Sequence, residues 1–409
     1  MALAALIAAY GQVDDAGERL RATLPLVGGT LLEHQARLAR RAGATHIVVL
    51  VERLPAELTA AFDRLRRDGI TIEIARSAAD AADHFHPDEK LLVIADGCLA
   101  GQALLDRLVA CPSPAVVTVP DHGDRQMFER IDALTRWGGL ALVDGGRLRR
   151  TVAMLGEWDM LSTLLRRVLQ EGAVRIDAFP PDSPGGTELL LMANRAATLD
   201  GVERRLIAAS RSRGDSWPSR YLFPPIEELA LRPLAGTALD PGLLAAASAV
   251  AALLAVPAAL AGWRWPGLIL LLLSGPIASV ARRLAATRLA TVRHEDWSVH
   301  VRDGAAALAL LALGRSVGAT LGWGMLVVAG VTVCAAVALA IERRSLTALG
   351  GPPPSIWLAS TDGLVWLLLP PAIAGMWGGG VVALAAYALL SFFLVQRAVL
   401  RAAGPRSAG

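Results

Sequence analysis

Asp96 closes the apolar run "KLLVIAD". A carboxylate at the end of a buried strand has two ordinary uses, as a ligand for a divalent cation or as a cap on the turn that follows, and both stay open here. Asp159 in "GEWDMLSTLL" could supply a second ligand, but its place just ahead of an apolar helical stretch reads as an N-cap. His84 and His86 in "DHFHPDE" have an HxH spacing that can bind zinc, yet no third or fourth ligand stands nearby, so the segment reads as a solvated turn. Further along, "SGPIASVAR" (Ser274–Arg282) lies at the foot of a long apolar run, where a membrane enzyme would keep metal-binding carboxylates, and it contains none. Glu295, Asp296 and Asp303 follow it. Arg315 and Asp362 are charges within apolar runs, expected to pair or to reach an aqueous cavity. Cys98, Cys111 and Cys334 form no CxxC and no paired framework, and are expected to be buried, inert thiols.

Two kinds of element have to position these groups. Of the 409 residues 54% are hydrophobic, and a mean hydropathy of +0.46 is too apolar for an ordinary soluble enzyme. The net charge is +3 and Lys90 is the only lysine, so the basic character is an arginine bias and implies no nucleic-acid partner. The start, "MALAALIAAY", has no basic n-region and runs into "GQVDDAGER", which reads as a first buried strand rather than a secretory signal. Up to residue 214, short β-rich runs such as "THIVVLV" and "ITIEIA" alternate with helical stretches, the pattern of a mostly parallel α/β sheet with ligands at the strand C-terminal ends. Residues 215–240 mix basic, aromatic and proline residues around an interfacial helix. From 241 to 409 the chain reads as six spans, at about 241–262, 266–284, 302–321, 323–341, 355–375 and 379–400. Arginines gather between spans two and three, after span four and after span six, which puts those loops, the N-terminal domain and both termini in the cytoplasm of a bacterial cell, beneath its inner membrane. Arg264 is the exception, while Trp263, Trp265, Trp323 and Trp377 stand near the opposite loops as interfacial aromatics would.

The stretch "LPLVGGTLLEHQARLARRAGATHIVVLV" (Leu24–Val51) resembles the second motif of sugar-phosphate nucleotidyltransferases, in which a Pro-Leu and a glycine precede a helix and then a strand. The resemblance implies a GT-A-like (Rossmann-type) α/β fold. It places the family's glycine-rich phosphate turn at "IAAYGQVDDAGER", with Gly11 implied to bind substrate and Asp96 implied to hold Mg2+. Tyr10 stands where the first glycine belongs, where a side chain blocks close approach of a phosphate, and the lysine expected beside the Pro-Leu is missing.

The segment "PSRYLFPPIEELALRPLAGTALDPG", followed by six spans, resembles the membrane half of CDP-alcohol phosphatidyltransferases. The whole layout, joined through Ser219, Arg220 and Tyr221, is similar to the bifunctional inositol-phosphate cytidylyltransferase/di-myo-inositol-phosphate-phosphate synthase type. That family's signature, D-x-x-D-G-x-x-A-R-x8-G-x3-D-x3-D, uses aspartates to hold metal against the CDP pyrophosphate and one as base on the acceptor alcohol. Setting its Ala-Arg on Ala281-Arg282 puts Ser274 and Ile277 at the first two aspartates and Ala278 at the glycine. The later aspartates fall on Glu295 and Val299 or, with one added helical turn, on Val299 and Asp303. "SGPIASVAR" thus reads as a vestige of the signature, with an unrelated helix end as the alternative. The resemblance implies Asp303 or Glu295 as the catalytic carboxylate, Asp303 also as a metal ligand, and Ser219, Arg220, Tyr221 and Arg282 as substrate contacts. It also implies Mg2+, CTP or a CDP-linked alcohol, a membrane lipid partner and a homodimer. Two functions follow: a membrane transferase, or a catalytically dead relative that serves as scaffold, lipid binder or regulatory partner of an active paralogue.

Overall fold

The computed structural model describes residues 2–403 apart from 14–18, 122–124, 156–158, 181–188, 211–213, 238, 291–294, 352 and 354. Glu295, Asp296 and Asp200 are placed in their helices without a described side chain. The chain forms two compact units: Met1–Ala209 with two short later pieces, and a second made of nearly all the rest.

The first unit grows from β1 (Leu3–Ala8), six consecutive buried residues with no polar alternation, as a strand covered on both faces requires. A two-residue hairpin, β2 (Pro25–Leu26) and β3 (Gly29–Thr30), turns through Val27 and Gly28, both at positive φ. Thr30 then caps α1 (Leu31–Arg41) in a reciprocal capping box with Glu33. Glu33 is 1% exposed, and although burial alone would raise its pKa, Arg64 at 2.8 Å and Arg37 hold it below the usual carboxylate range. The alternation continues through β4 (Ala44–Leu50), α2 (Ala56–Arg67), β5 (Ile72–Ala75), α3 (Ala78–Asp83), β6 (Lys90–Ile94), β7 (Cys98–Ala100), α4 (Gln102–Ala110) and β8 (Ala115–Pro120). It ends in β9 (Glu129–Arg130), β10 (Thr135–Asp144), α5 (Gly145–Val152), α6 (Met160–Gln170), β11 (Val174–Asp177), β12 (Leu190–Met192) and α7 (Ala196–Ala209).

The main sheet runs β11-β8-β10-β6-β1-β4-β5, with β9 on β10. It is parallel across β6, β1, β4 and β5, while the long β10 enters antiparallel between β6 and β8. That insertion is the departure from the expected pattern. "TRWGGLALVD" carries two glycines where its pairing with β8 slips register, and it is buried along most of its length, so its interior reads like any parallel core strand.

The second unit is helical: α8 (Trp217–Tyr221), α9 (Phe223–Ala235), α10 (Pro241–Leu260), α11 (Arg264–Thr287), α12 (Glu295–Leu321), α13 (Gly324–Ala348), α14 (Thr361–Ile373) and α15 (Trp377–Ala403). Asp240 caps α10, with Pro241 in its first turn. Five helices, α10 to α13 and α15, are long and apolar enough to cross a membrane. The fifth expected span is a shorter helix: Ser360 caps α14 at its N-terminus, and its 13 residues reach only about 20 Å, short of a hydrocarbon core of about 30 Å.

Close packing rests on small residues: α10 and α12 lie against each other, and Ala245, Ala249 and Ala252 of α10 and Ala305, Ala306 and Ala309 of α12 are all buried. The polar groups at one end are satisfied internally. Arg264 donates to Ser316 Oγ and O at 3.1 and 2.8 Å, and Arg315 donates to Leu260 O, the last residue of α10, at 3.0 Å. Trp263 and Trp323 are exposed, whereas Trp377, expected among the interfacial aromatics, is buried edge-on against Trp265. The expectation of three buried thiols holds for Cys98 alone, since Cys334 is exposed on α13 and Cys111 is half-buried at the end of α4.

Candidate functional site

In the α/β unit, register decides which residues meet. β1 and β6 are parallel neighbours with Ile7 opposite Ile94, so the turn after β1 and the turn after β6 emerge side by side. This brings Gly11 onto Asp96: the Gly11 N–H donates to Asp96 Oδ2, and a Cβ at Gly11 would lie 2.7 Å from that same oxygen. The glycine is therefore needed for close approach of a carboxylate, and the N–H that the resemblance assigns to a phosphate is already in use. Gly97 at φ +75° carries the turn, and Gln35 of α1 ties it down by donating to Cys98 O at 2.6 Å.

Asp96 is 8% exposed, and burial pushes its pKa up to about 6, against the opposing pull of the Gly11 N–H and the Arg21 charge. Its Oδ1 has no partner of hydrogen-bond geometry. The other acid weighed from the sequence is spoken for, because Asp159 Oδ2 accepts from Ser162 N at 2.8 Å as the N-cap of α6 while its Oδ1 accepts the Tyr10 hydroxyl at 2.9 Å. Burial, and then the Asp159 charge, hold the Tyr10 phenol well above its usual range, so it stays a donor. One free carboxylate oxygen fits one bond to a cation, and among the described residues no group of three His, Cys, Asp or Glu side chains gathers to share it. His84 pairs with Glu73 at 2.7 Å and His86 is exposed, so the HxH pair does not converge.

In the helical unit a cavity of about 530 Å³ gathers Ser219, Arg282, Val299, Asp303 and Asp362, all named from the sequence above. It also gathers residues that the signature alignment passes over. Arg283 of α11 meets Glu227 of α9 at 2.9 Å, and Ser279 donates to the same carboxylate. Arg302 of α12 lies 3.2 Å from Asp303 and 3.3 Å from Asp362 of α14, with its side chain 9% exposed and that of Asp362 14%. Each of these three carboxylates thus faces a guanidinium, an arrangement that offsets buried charge and leaves little capacity for a cation. Among the described residues no three His, Cys, Asp or Glu side chains converge to hold a metal ion. The described donor set of this unit does not fit the divalent cations that the signature implies.

Ser219 borders the cavity, but its hydroxyl donates to Ser216 O at 2.9 Å and stabilises the turn into α8. Arg220 is exposed outside the cavity lining, and Tyr221 stacks on Trp357 at 5.8 Å. Ser274 is buried, its hydroxyl donating to Leu271 O at 2.8 Å, and Ile277 lines a separate apolar groove. Glu295 opens α12, and its side chain lies outside the described residues. Sequence reasoning missed Arg302, Arg343 and Glu227. The available signal was weak, consisting of charges in or beside apolar helices that also satisfy the rule for cytoplasmic arginines.

No protein-family profile matches the chain, and no curated protein sequence matches it. Solved structures similar to its N-terminal half include one described as a glucose-1-phosphate thymidylyltransferase from Bacillus anthracis, with 12% identity and a TM-score of 0.38, covering 50% of this chain and 95% of that one. Another is the inositol-1-phosphate CTP transferase from T. maritima, with 13% identity and a TM-score of 0.39, covering 50% of this chain and 94% of that one.

Proposed function

We propose that the chain is a membrane-bound relative of the CDP-alcohol phosphatidyltransferases that carries a nucleotidyltransferase-like α/β domain, and that it binds a ligand of that family without turning it over. One observation carries the reading: Glu227, Asp303 and Asp362, which line the helical cavity, each lie against an arginine, at distances of 2.9 to 3.3 Å. An acid held by a guanidinium neither ligates a cation well nor accepts a proton from an alcohol readily, because its charge is already offset. The α/β domain supports the same reading, since the Gly11 N–H and both oxygens of Asp159 are engaged within the protein. In this proposal the partners are a membrane lipid, CTP or a CDP-linked alcohol as bound ligand, and a second copy in a homodimer. The place is the inner membrane of a bacterium with both termini cytoplasmic.

Asp303 favours a second reading, that of an active transferase: its side chain is 43% exposed at the cavity, open enough to act as general base on an acceptor alcohol. Release of CMP from CDP-diacylglycerol, with inositol phosphate or glycerol phosphate as acceptor and with 10 mM-scale Mg2+ or Mn2+, separates the two. We expect no release above background from the purified full-length protein. Metal-dependent release that falls at least tenfold in Asp303→Asn would establish the transferase and remove the non-catalytic reading.

A further inference from the structure

Around the helical cavity, the buried groups left without partners are donors. Arg302 is 7% exposed as a whole residue; it borders the cavity, and its Nε has no hydrogen-bond partner. Arg343, on α13 at the same cavity, donates from Nη2 to Ala359 O at 3.1 Å, and its Nε is likewise unpartnered. Arg282 is exposed at the cavity and makes no hydrogen bond or ion pair with a described residue. A metal site leaves the opposite signature, an unpartnered carboxylate oxygen such as Asp96 Oδ1 in the α/β unit. Unsatisfied N–H groups of guanidinium call for an acceptor-rich anion, and the planar fork of arginine matches phosphate oxygens.

The place of this charge is specific. α11 carries Ser274 and Gly275 where the transferase signature begins, and a Cβ on Gly275 would lie 2.6 Å from Asp362 Oδ1. Asp362 therefore reaches α11 at Gly275, one residue beyond Ser274, and Arg302 sits 3.3 Å from it. A fixed guanidinium, anchored by a carboxylate on either side, stands in a part of the bundle where the signature calls for a cation held by aspartates.

We infer that the helical cavity takes a phosphate-bearing anion, a diphosphate or a phosphodiester, without any divalent cation, the positive charge coming from Arg302 with Arg343 and Arg282. This deepens the proposed ligand-binding reading and rests on it. The test is direct binding to the full-length protein in neutral detergent, in EDTA and in Mg2+, with CDP and inorganic pyrophosphate as soluble probes. A parallel arm uses nanodiscs of phosphatidylglycerol or of phosphatidylcholine, with protein stability as the readout of headgroup binding. The expected result is saturable binding of a soluble probe, or stabilisation by the anionic lipid, that changes less than twofold between EDTA and Mg2+. Arg343→Gln should weaken it at least fivefold. The paired variant Arg302→Gln/Asp362→Asn, which removes both charges together and so leaves no buried ion unmatched, should weaken it at least tenfold while the melting temperature stays near that of the unaltered protein. Should the pair fail to fold, Arg343→Gln decides alone. Binding that appears only with Mg2+, binding untouched by these changes, or no binding in any arm would each overturn the inference. Metal-independent binding together with CMP release would leave it standing and remove only the non-catalytic reading.

Discussion

Asp96 shows how one residue's chemistry is set by its burial. Its carboxyl titrates at about 6 in the folded protein against about 4 in an unfolded chain, so the folded state binds the proton more tightly. The stability it contributes is fully present below about pH 4 and is lost as pH rises through about 6. A shift of this size corresponds to about 3 kcal/mol at most. Asp96→Asn keeps an oxygen for the Gly11 N–H without the charge, and is expected to raise the stability of the protein at pH 7 and to flatten its pH dependence between 4 and 6. Denaturant unfolding at pH 4.5, 6 and 7.5 checks this, and an Asn variant less stable than the parent at pH 7.5 would show that the anion is held by something more than its backbone neighbours. Glu33 is the contrasting case, because two arginines keep an equally buried acid ionised.

At the scale of elements, the helical unit depends on how closely its helices approach. A Cβ at Gly314 of α12 would lie 2.5 Å from Ala329 Cβ and 3.0 Å from Met325 O of α13, so even alanine forces the pair apart. Gly314→Ala is expected to cost about 1–3 kcal/mol and to lower the melting temperature in detergent. Gly330→Ala, on α13 with no neighbour within 4 Å of the new methyl, should be neutral or slightly stabilising, because alanine is the better helix former. Equal melting temperatures for the two variants would remove close packing as the role of Gly314. The same scale explains why the fifth expected span is a shorter helix. The apolar run around α14 satisfies a hydropathy window, but the helix itself starts only at the Ser360 cap, and nothing in a summed window registers that boundary.

For the molecule as a whole, aliphatic side chains exposed along the apolar helices, among them Leu253, Leu254, Ile269, Val327 and Leu394, are disposed as a lipid-facing surface would be. The protein is expected to stay with membranes through an alkaline carbonate wash and to leave them only in detergent; recovery in the soluble fraction would oppose a membrane-spanning unit. This much was legible in the sequence, as were the alternating α/β half, the Asp240-Pro241 start of α10 and the N-cap role of Asp159. Those features depend on residues within a few positions of one another, and hydropathy, periodicity and capping are local quantities. The sites were legible only as single residues. Whether Asp96 meets a phosphate turn or the Gly11 N–H follows from the register of two strands, and Tyr10 finds Asp159 across 149 positions. Glu227 and Arg283 are 56 positions apart, and the placing of Arg302 against Asp362 needs two further helices. Charge pairing is decided by which helix faces pack together. The sequence by itself therefore determined what kinds of element this protein has, and only the tertiary structure decided that the acids of the helical unit oppose arginines, because a carboxylate's chemistry belongs to its neighbours in space.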